Sequence, residues 1–193
     1  MSQRDHELIE HILRGSHSAF AELVDAYKDR AFTLAMRMLK NRADAEEALQ
    51  DAFVRVFKSL KTFKNEANFS TWLYRIVYNV CLTAIRKRGE HLLVKLDDED
   101  CKNEFSSGEI SPLEALESAE IQQIMDVEIK RLPPNYGAIF TLFYVQEMSY
   151  DDICTVTGMP LGTVKTQLHR ARLLLKKNVE RHFTERPIVP QKL

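Results

Sequence analysis

The chain has 193 residues, 27 Lys and Arg against 28 Asp and Glu, 45% hydrophobic residues, and only 6 Gly and 6 Pro. Such a length suits one full-sized domain or two small ones, and the apolar fraction excludes disorder throughout. So little Gly and Pro argues against a turn-rich β barrel or sandwich and for long helices, while the longest uncharged stretch, Leu132 to Gln146, is broken by Pro133, Pro134, Asn135 and Gly137 and is too short to span a membrane.

In chain order, apolar residues recur every three or four positions from Asp5 to Lys61: Leu8 and Ile12; Phe20, Leu23, Val24 and Tyr27; Ala31, Leu34, Ala35 and Met38; then Ala45, Leu49, Phe53, Val56, Phe57 and Leu60. This spacing predicts amphipathic helices broken at Gly15-Ser16 and Lys40-Asn41, with Ser18 and Glu22 flanking the second start and Asp44 as N-cap of a helix from Ala45 to Lys61. The polar run Lys64 to Asn68 predicts a loop. Beyond it, Trp72, Leu73, Ile76, Val80 and Ile85 predict a helix from Ser70 that ends on Arg86-Lys87-Arg88, a favourable place for cations, before Gly89.

Charge is unevenly spread. Arg55 to Arg88 holds eight basic residues and one acid, and Leu161 to His182 holds six basic residues and one acid. Between them, Gly89 to Glu120 holds ten acids and two lysines, with loop signals at Ser106-Ser107-Gly108 and Ser111-Pro112. Two basic helical modules on an acidic linker are therefore expected. The second module should contain helices from Ala115 to Leu132 and from Asn135 to Val145. A short helix opened by a capping box at Ser149 to Asp152 should run through Val156, followed by a turn at Thr157-Gly158-Met159 and a last helix with Pro160 in its first position. That helix buries Val164, Leu168, Ala171 and Leu175 and turns Lys165, Thr166, His169 and Arg170 outward, the pattern of a helix-turn-helix. In the first module Phe63, Phe69, Trp72, Tyr74 and Tyr78 interleave with Lys64, Arg75 and Asn79, a composition suited to packing and also to stacking unpaired bases.

No catalytic or metal signature accompanies these features. His6 and His11 stand five apart and diverge by about 140° on a helix, so a shared zinc is not expected. No phosphate-binding glycine loop or nucleophile elbow occurs, so the chain reads as neither an enzyme nor the binder of a cofactor or small-molecule substrate. Cys81, Cys101 and Cys154 are isolated thiols of a reducing compartment, and the N-terminus lacks the apolar core of a signal peptide, so a cytoplasmic protein without membrane insertion is expected.

The residues from Asp44 to Phe53 and from Phe69 to Asn79 closely resemble the sigma-two domain of extracytoplasmic-function sigma factors of the sigma-70 family. Leu132-Pro133, Tyr150 to Ile153 and Gly162 to Arg172 are similar to the family's sigma-four domain. The resemblance implies an all-α chain in which residues 1–92 form sigma-two, 93–112 an acidic flexible linker, 113–183 the sigma-four helix-turn-helix and 184–193 a frayed tail. It implies a bacterial initiation factor that carries RNA polymerase core to promoters, with contacts to the clamp helices and the flap, and an anti-sigma factor as a further partner. Asp44, Glu47, Gln50 and Asp51 would dock on the clamp helices. Lys64, Asn65, Asn68, Ser70, Thr71, Trp72, Arg75, Tyr78, Asn79, Arg86, Lys87 and Arg88 would hold the minus-ten element, part of it as a flipped base and melted strand. Thr163, Lys165, Thr166, His169 and Arg170 would read the minus-35 element. The competing expectation is a helix-turn-helix regulator of closed duplex that is not a polymerase subunit.

Overall fold

The computed structural model describes residues 3–63, 67–89 and 119–184, and these form helices without a strand among them. Helix α1 (Gln3–Leu13) buries Leu8, Ile9 and Ile12 and stops at Gly15, whose φ of +98° suits a residue without a β-carbon. Ser16 caps α2 (His17–Leu39) by accepting the Ala19 amide at 3.2 Å, two residues ahead of the expected start at Ser18. Leu23, Ala31, Leu34, Ala35 and Met38 supply the buried stripe of α2.

Helix α3 (Arg42–Ser59) begins earlier than predicted. Asn41, not Asp44, is the N-cap and accepts the Asp44 amide at 3.1 Å, which leaves Asp44 in the first turn. Its buried residues Ala45, Ala48 and Ala52 are small, so α2 and α4 approach closely before Phe53 and Val56 fill the space below. A single 3-10 turn, Leu60–Thr62, ends the helix.

Helix α4 (Phe69–Lys87) is the axis of the molecule. Phe69, Leu73, Val77, Tyr78, Val80, Cys81 and Ile85 are all buried, and their positions spread over about 200° of its circumference. A helix buried that widely needs neighbours on two sides. Helices α2 and α3 supply one side, and the C-terminal half of the chain supplies the other.

That half comprises α5 (Ala119–Arg131), α6 (Pro134–Phe140) continuing into a π-helical turn at Thr141–Val145, α7 (Tyr150–Thr157) and α8 (Leu161–Thr184). Pro133 and Pro134 set the corner between α5 and α6. Ser149 caps α7 as predicted, accepting the Asp152 amide at 3.1 Å, and Gly158 closes it in the left-handed region with φ of 73°. Pro160 precedes α8 and its carbonyl accepts the Val164 amide, so it stands just before the first helical position rather than in it.

Helix α7 lies against α4, and α6 lies against α2. One apolar cluster therefore runs from Leu8 in α1 through Leu73 and Val77 in α4 to Ile153, Val156, Val164 and Leu168 in the helix-turn-helix. A smaller one joins Leu132, Tyr136, Phe140, Ala171 and Leu175. Polar contacts line the seam between the halves. Thr71 Oγ1 donates to Asp152 Oδ1 at 2.9 Å, Tyr74 OH donates to Gln146 Oε1 at 2.6 Å, and Gln146 Nε2 donates to the Arg30 carbonyl at 3.2 Å. The acidic linker, the loop residues Lys64 and Asn65, Cys101 and the tail lie outside the described residues.

Candidate nucleic-acid and polymerase interfaces

Three polar faces emerge from this packing. On α3, Glu47, Gln50 and Asp51 are exposed, opposite the alanines that face α2 and α4. Two apolar side chains extend the same face. Val54 is 51% exposed and Phe57 45% exposed, with Phe57 held by His17 and Phe20 at ring distances of 6.1 and 4.9 Å. The sequence periodicity assigned Phe57 to the core. A signal that could have found it is the density of the segment, since Phe53, Val54, Val56 and Phe57 are more apolar residues than one narrow stripe can bury.

Asp44 stands apart from that face: it pairs with Arg88. Arg88 lies about 200° round α4 from Arg86, so it points back to the start of α3 rather than outward with the other cations. The sequence placed these two residues on different surfaces, one for polymerase and one for DNA, and the structure joins them to each other.

The outward stripe of α4 is narrow. Arg75, Asn79 and Arg86 fall within about 40° of one another, and all three are exposed; Lys87 is exposed too, about 100° further round the last turn. Trp72 shares the stripe but is half-buried, its ring 5.1 Å from Phe63 and 5.8 Å from Phe69. Asn68 is exposed at the N-cap position and does not cap the helix with its side chain; Ser70 is half-buried.

Two of the predicted strand contacts face inward instead. Tyr78 is 1% exposed, and burial pushes its phenol up to about 12. Thr71 is also buried, with its hydroxyl committed to Asp152. The physical reason is the width of the buried arc on α4: with helices on both sides, alternate aromatic positions become core, and only residues near the Arg75 meridian reach solvent. Tyr74, grouped with them by sequence, is buried as well and spans the seam to Gln146.

The third face belongs to α8. Val164, Leu168, Ala171 and Leu175 confine its packing to about 60° of arc, and Thr163, Lys165 and His169 are exposed on the far side. Thr166 is half-buried and returns its hydroxyl to the Gly162 carbonyl at 2.8 Å, while Arg170 is half-buried at the edge. Lys165 Nζ sits 5.7 Å from the Tyr150 ring centroid, which ties α8 to the start of α7. Sequence reasoning missed Arg172, whose guanidinium lies 5.6 Å from the Phe143 ring and 5.4 Å from the 46%-exposed Tyr144 on the π-helical turn.

Remaining titratable groups serve structure. A cavity of about 260 Å3 between the ends of α5 and α8 is lined by Glu128, Arg131, Asn178, Arg181 and His182. Glu128, 2% exposed, accepts from Arg131 at 2.7 Å and pairs with His182 at 2.8 Å. Burial raises its carboxyl, but the His182 hydrogen bond and the Arg131 charge outweigh that and hold it below the usual carboxylate range. Burial pushes the Cys81 thiol up to about 12, which removes its nucleophilic form at neutral pH. Among the described residues no group of His, Cys, Asp and Glu could hold a metal ion, and no helix is long and apolar enough to cross a membrane.

Residues 23–91 match the family description Sigma-70 region 2, and residues 122–175 match Sigma-70, region 4. The ECF RNA polymerase sigma factor SigW of Bacillus subtilis is 33% identical over 176 residues, covering 89% of this chain and 94% of that protein. The RNA polymerase sigma-H factor of Pseudomonas aeruginosa is 30% identical over 183 residues, covering 92% and 95%. Among solved structures, CnrH in complex with the cytosolic domain of CnrY has the same fold, with a TM-score of 0.64 at 19% identity over 93% of this chain and 99% of that one. The sigma factor RpoE of Bartonella quintana, solved with the anti-sigma factor NepR, gives a TM-score of 0.61 at 22% identity over 83% and 96%.

Proposed function

Because the chain belongs to the ECF RNA polymerase sigma factors, we propose that its three polar faces divide the work of initiation, with α3 docking on the core enzyme, α4 holding the melted minus-ten strand and α8 reading the minus-35 duplex. The chain is a promoter-specific initiation factor and not an enzyme. Relatives of this kind, aligned over nine-tenths of its length, set aside the regulator of closed duplex.

On α3, Glu47, Gln50 and Asp51 give the charge that finds a basic partner, and the exposed Val54 and Phe57 give the apolar area that holds it. On α4, Arg75, Asn79, Arg86 and Lys87 offer donors to phosphates and base edges, with Trp72 beside them as a stacking plane and Asn68 and Ser70 at the start of the helix; Lys64 and Asn65 precede them in the chain. On α8, Thr163, Lys165, Thr166, His169 and Arg170 enter a major groove as the second helix of a helix-turn-helix. Asp44 and Arg88 contribute through their ion pair, which fixes the start of α3 against the end of α4.

The observation that carries this reading is the outward stripe of Arg75, Asn79 and Arg86 on a helix that is otherwise core. A helix with so little free surface keeps cations and an amide in line only where that surface has a use.

The arrangement described above is a closed one. Elements centred about 25 base pairs apart lie roughly 80 Å apart along a duplex, whereas a packed body of this size has a radius of gyration of about 15 Å. With α7 lying on α4, the two reading helices cannot reach both elements together. The step from Gly89 to Ala119 can extend to about 100 Å, enough for the halves to part and span a promoter. We infer that an anti-sigma factor is a further partner, as NepR is of the RpoE neighbour. The test is footprinting: core polymerase with this chain should protect both elements of its promoters, and Asn79→Ala with Arg75→Ala should abolish reactivity of unpaired minus-ten bases while upstream protection persists. Retained opening in that double variant would remove α4 from the strand-holding role.

A further inference from the structure

Helix α2 ends in an unusual way. Lys40 takes the C-cap with φ 58° and ψ 4°, the left-handed conformation usually given to Gly or Asn, and its amide donates to the Met36 carbonyl. A local optimum would place glycine there. The side chain explains the lysine. Its Nζ donates to the carbonyls of Lys130 at 2.5 Å and Leu132 at 2.6 Å, some ninety residues away on the other half of the molecule.

The first of those carbonyls is an orphan by sequence. In a continuing helix Lys130 would bond the amide of residue 134, and that residue is a proline without an N–H. The Pro133-Pro134 corner thus leaves the end of α5 short of donors, and a cation is the most favourable group to fill that place at a helix C-terminus. Lys40 as a whole is exposed, yet the packing around its ammonium together with the Arg37 guanidinium pushes it down to about 8.

We propose that Lys40 is the latch of the closed form: a lysine kept in a glycine-like conformation at the end of α2 because it caps α5 across the seam. It touches none of the three polar faces, so it sets how much of the population is closed without taking part in recognition. In the open form both partners return to water, and the backbone conformation at Lys40 loses its purpose. The latch does not rest on the role proposed for α4.

The test compares the full chain with Lys40→Gly and Lys40→Met by small-angle scattering, thermal melting and binding of a fluorescent (dT)20 oligonucleotide. Glycine removes the latch and relaxes the left-handed residue; methionine removes the latch and keeps the strained conformation. Both variants should open, with a radius of gyration larger by about a fifth or more. The glycine variant should melt at a higher temperature than the methionine variant. Oligonucleotide affinity should stay within about twofold of wild type in both, because Arg75, Asn79 and Arg86 are exposed already in the closed form. An unchanged radius in both variants overturns the latch. A larger radius with unchanged oligonucleotide affinity supports the latch and its independence of the α4 stripe. Should one variant lose helicity, the scattering of the other decides.

Discussion

Helices α4 and α8 are both basic and both carry a face proposed to meet DNA, yet they are built differently. Buried residues cover about 200° of α4 and about 60° of α8. On α8, function and packing occupy separate surfaces, so a substitution can remove one and leave the other. On α4 they are neighbours, and loss of activity in this helix means little until stability has been measured beside it. The difference suits the tasks: a duplex reader needs a wide free face for a groove, whereas a strand holder needs a stiff edge that does not yield when bases stack on it.

The largest effect that should follow is on Tyr78. Truncating this buried ring, as Tyr78→Ala, should cost about 3–5 kcal/mol and unfold much of the chain in a denaturant titration. A loss below about 1 kcal/mol would mean that the ring is not core and would restore it to the DNA-facing set. Trp72→Ala should be intermediate, costing about 2 kcal/mol of stability for a half-buried ring together with impaired promoter opening. Asp51→Arg on the solvated face of α3 should leave melting within about 0.5 kcal/mol and weaken capture of core polymerase by about 1–2 kcal/mol.

On α8 the comparison sharpens further. Lys165→Ala should leave the melting temperature nearly unchanged while binding weakens about equally on all sequences, with the log-log salt slope shallower by nearly one if it meets a phosphate. Arg170→Ala should instead relax preference within the minus-35 element by about 1–3 kcal/mol if its contact is bidentate to guanine. Unchanged affinity, sequence preference and salt slope in either variant would remove that residue from the DNA face.

The smallest effect concerns acid. Because the Glu128 carboxyl is held below its ordinary value, its contribution to stability is present above the ordinary carboxylate pKa and is lost as pH falls through the depressed one. Melting followed from neutral pH to pH 3 should fall less steeply in Glu128→Gln than in wild type, and parallel curves would show that the Arg131 and His182 contacts carry no such linkage.

Much of this was legible in the sequence. Three-and-four spacing located the helices, Ser149 its cap, Gly158 its turn, and Val164, Leu168, Ala171 and Leu175 the packed edge of α8. What escaped depends on contacts between distant parts of the chain. Periodicity could not tell that α4 is covered twice, which turned Thr71 and Tyr78 inward, nor that Asp44 and Arg88 meet each other. Phe57 had core chemistry but faces solvent because α2 reaches only the flank of its ring. Asn41 and Asp44 are equally good caps by type, and only the backbone at Asn41, extended at φ −129°, decides between them. Lys40 gave no local signal at all; its reason lies in two prolines on the other half of the molecule.

On the proposed mechanism, one body with α7 on α4 opens to place α4 and α8 on separated promoter elements. Energy transfer between dyes at the exposed residues Asp29 on α2 and Lys176 on α8 measures it directly. The account predicts a separation within about 40 Å in the free chain, the width of a packed body of this size, and roughly twice that once the chain is bound to core polymerase on an open promoter. A separation that stays short in the promoter complex would contradict it.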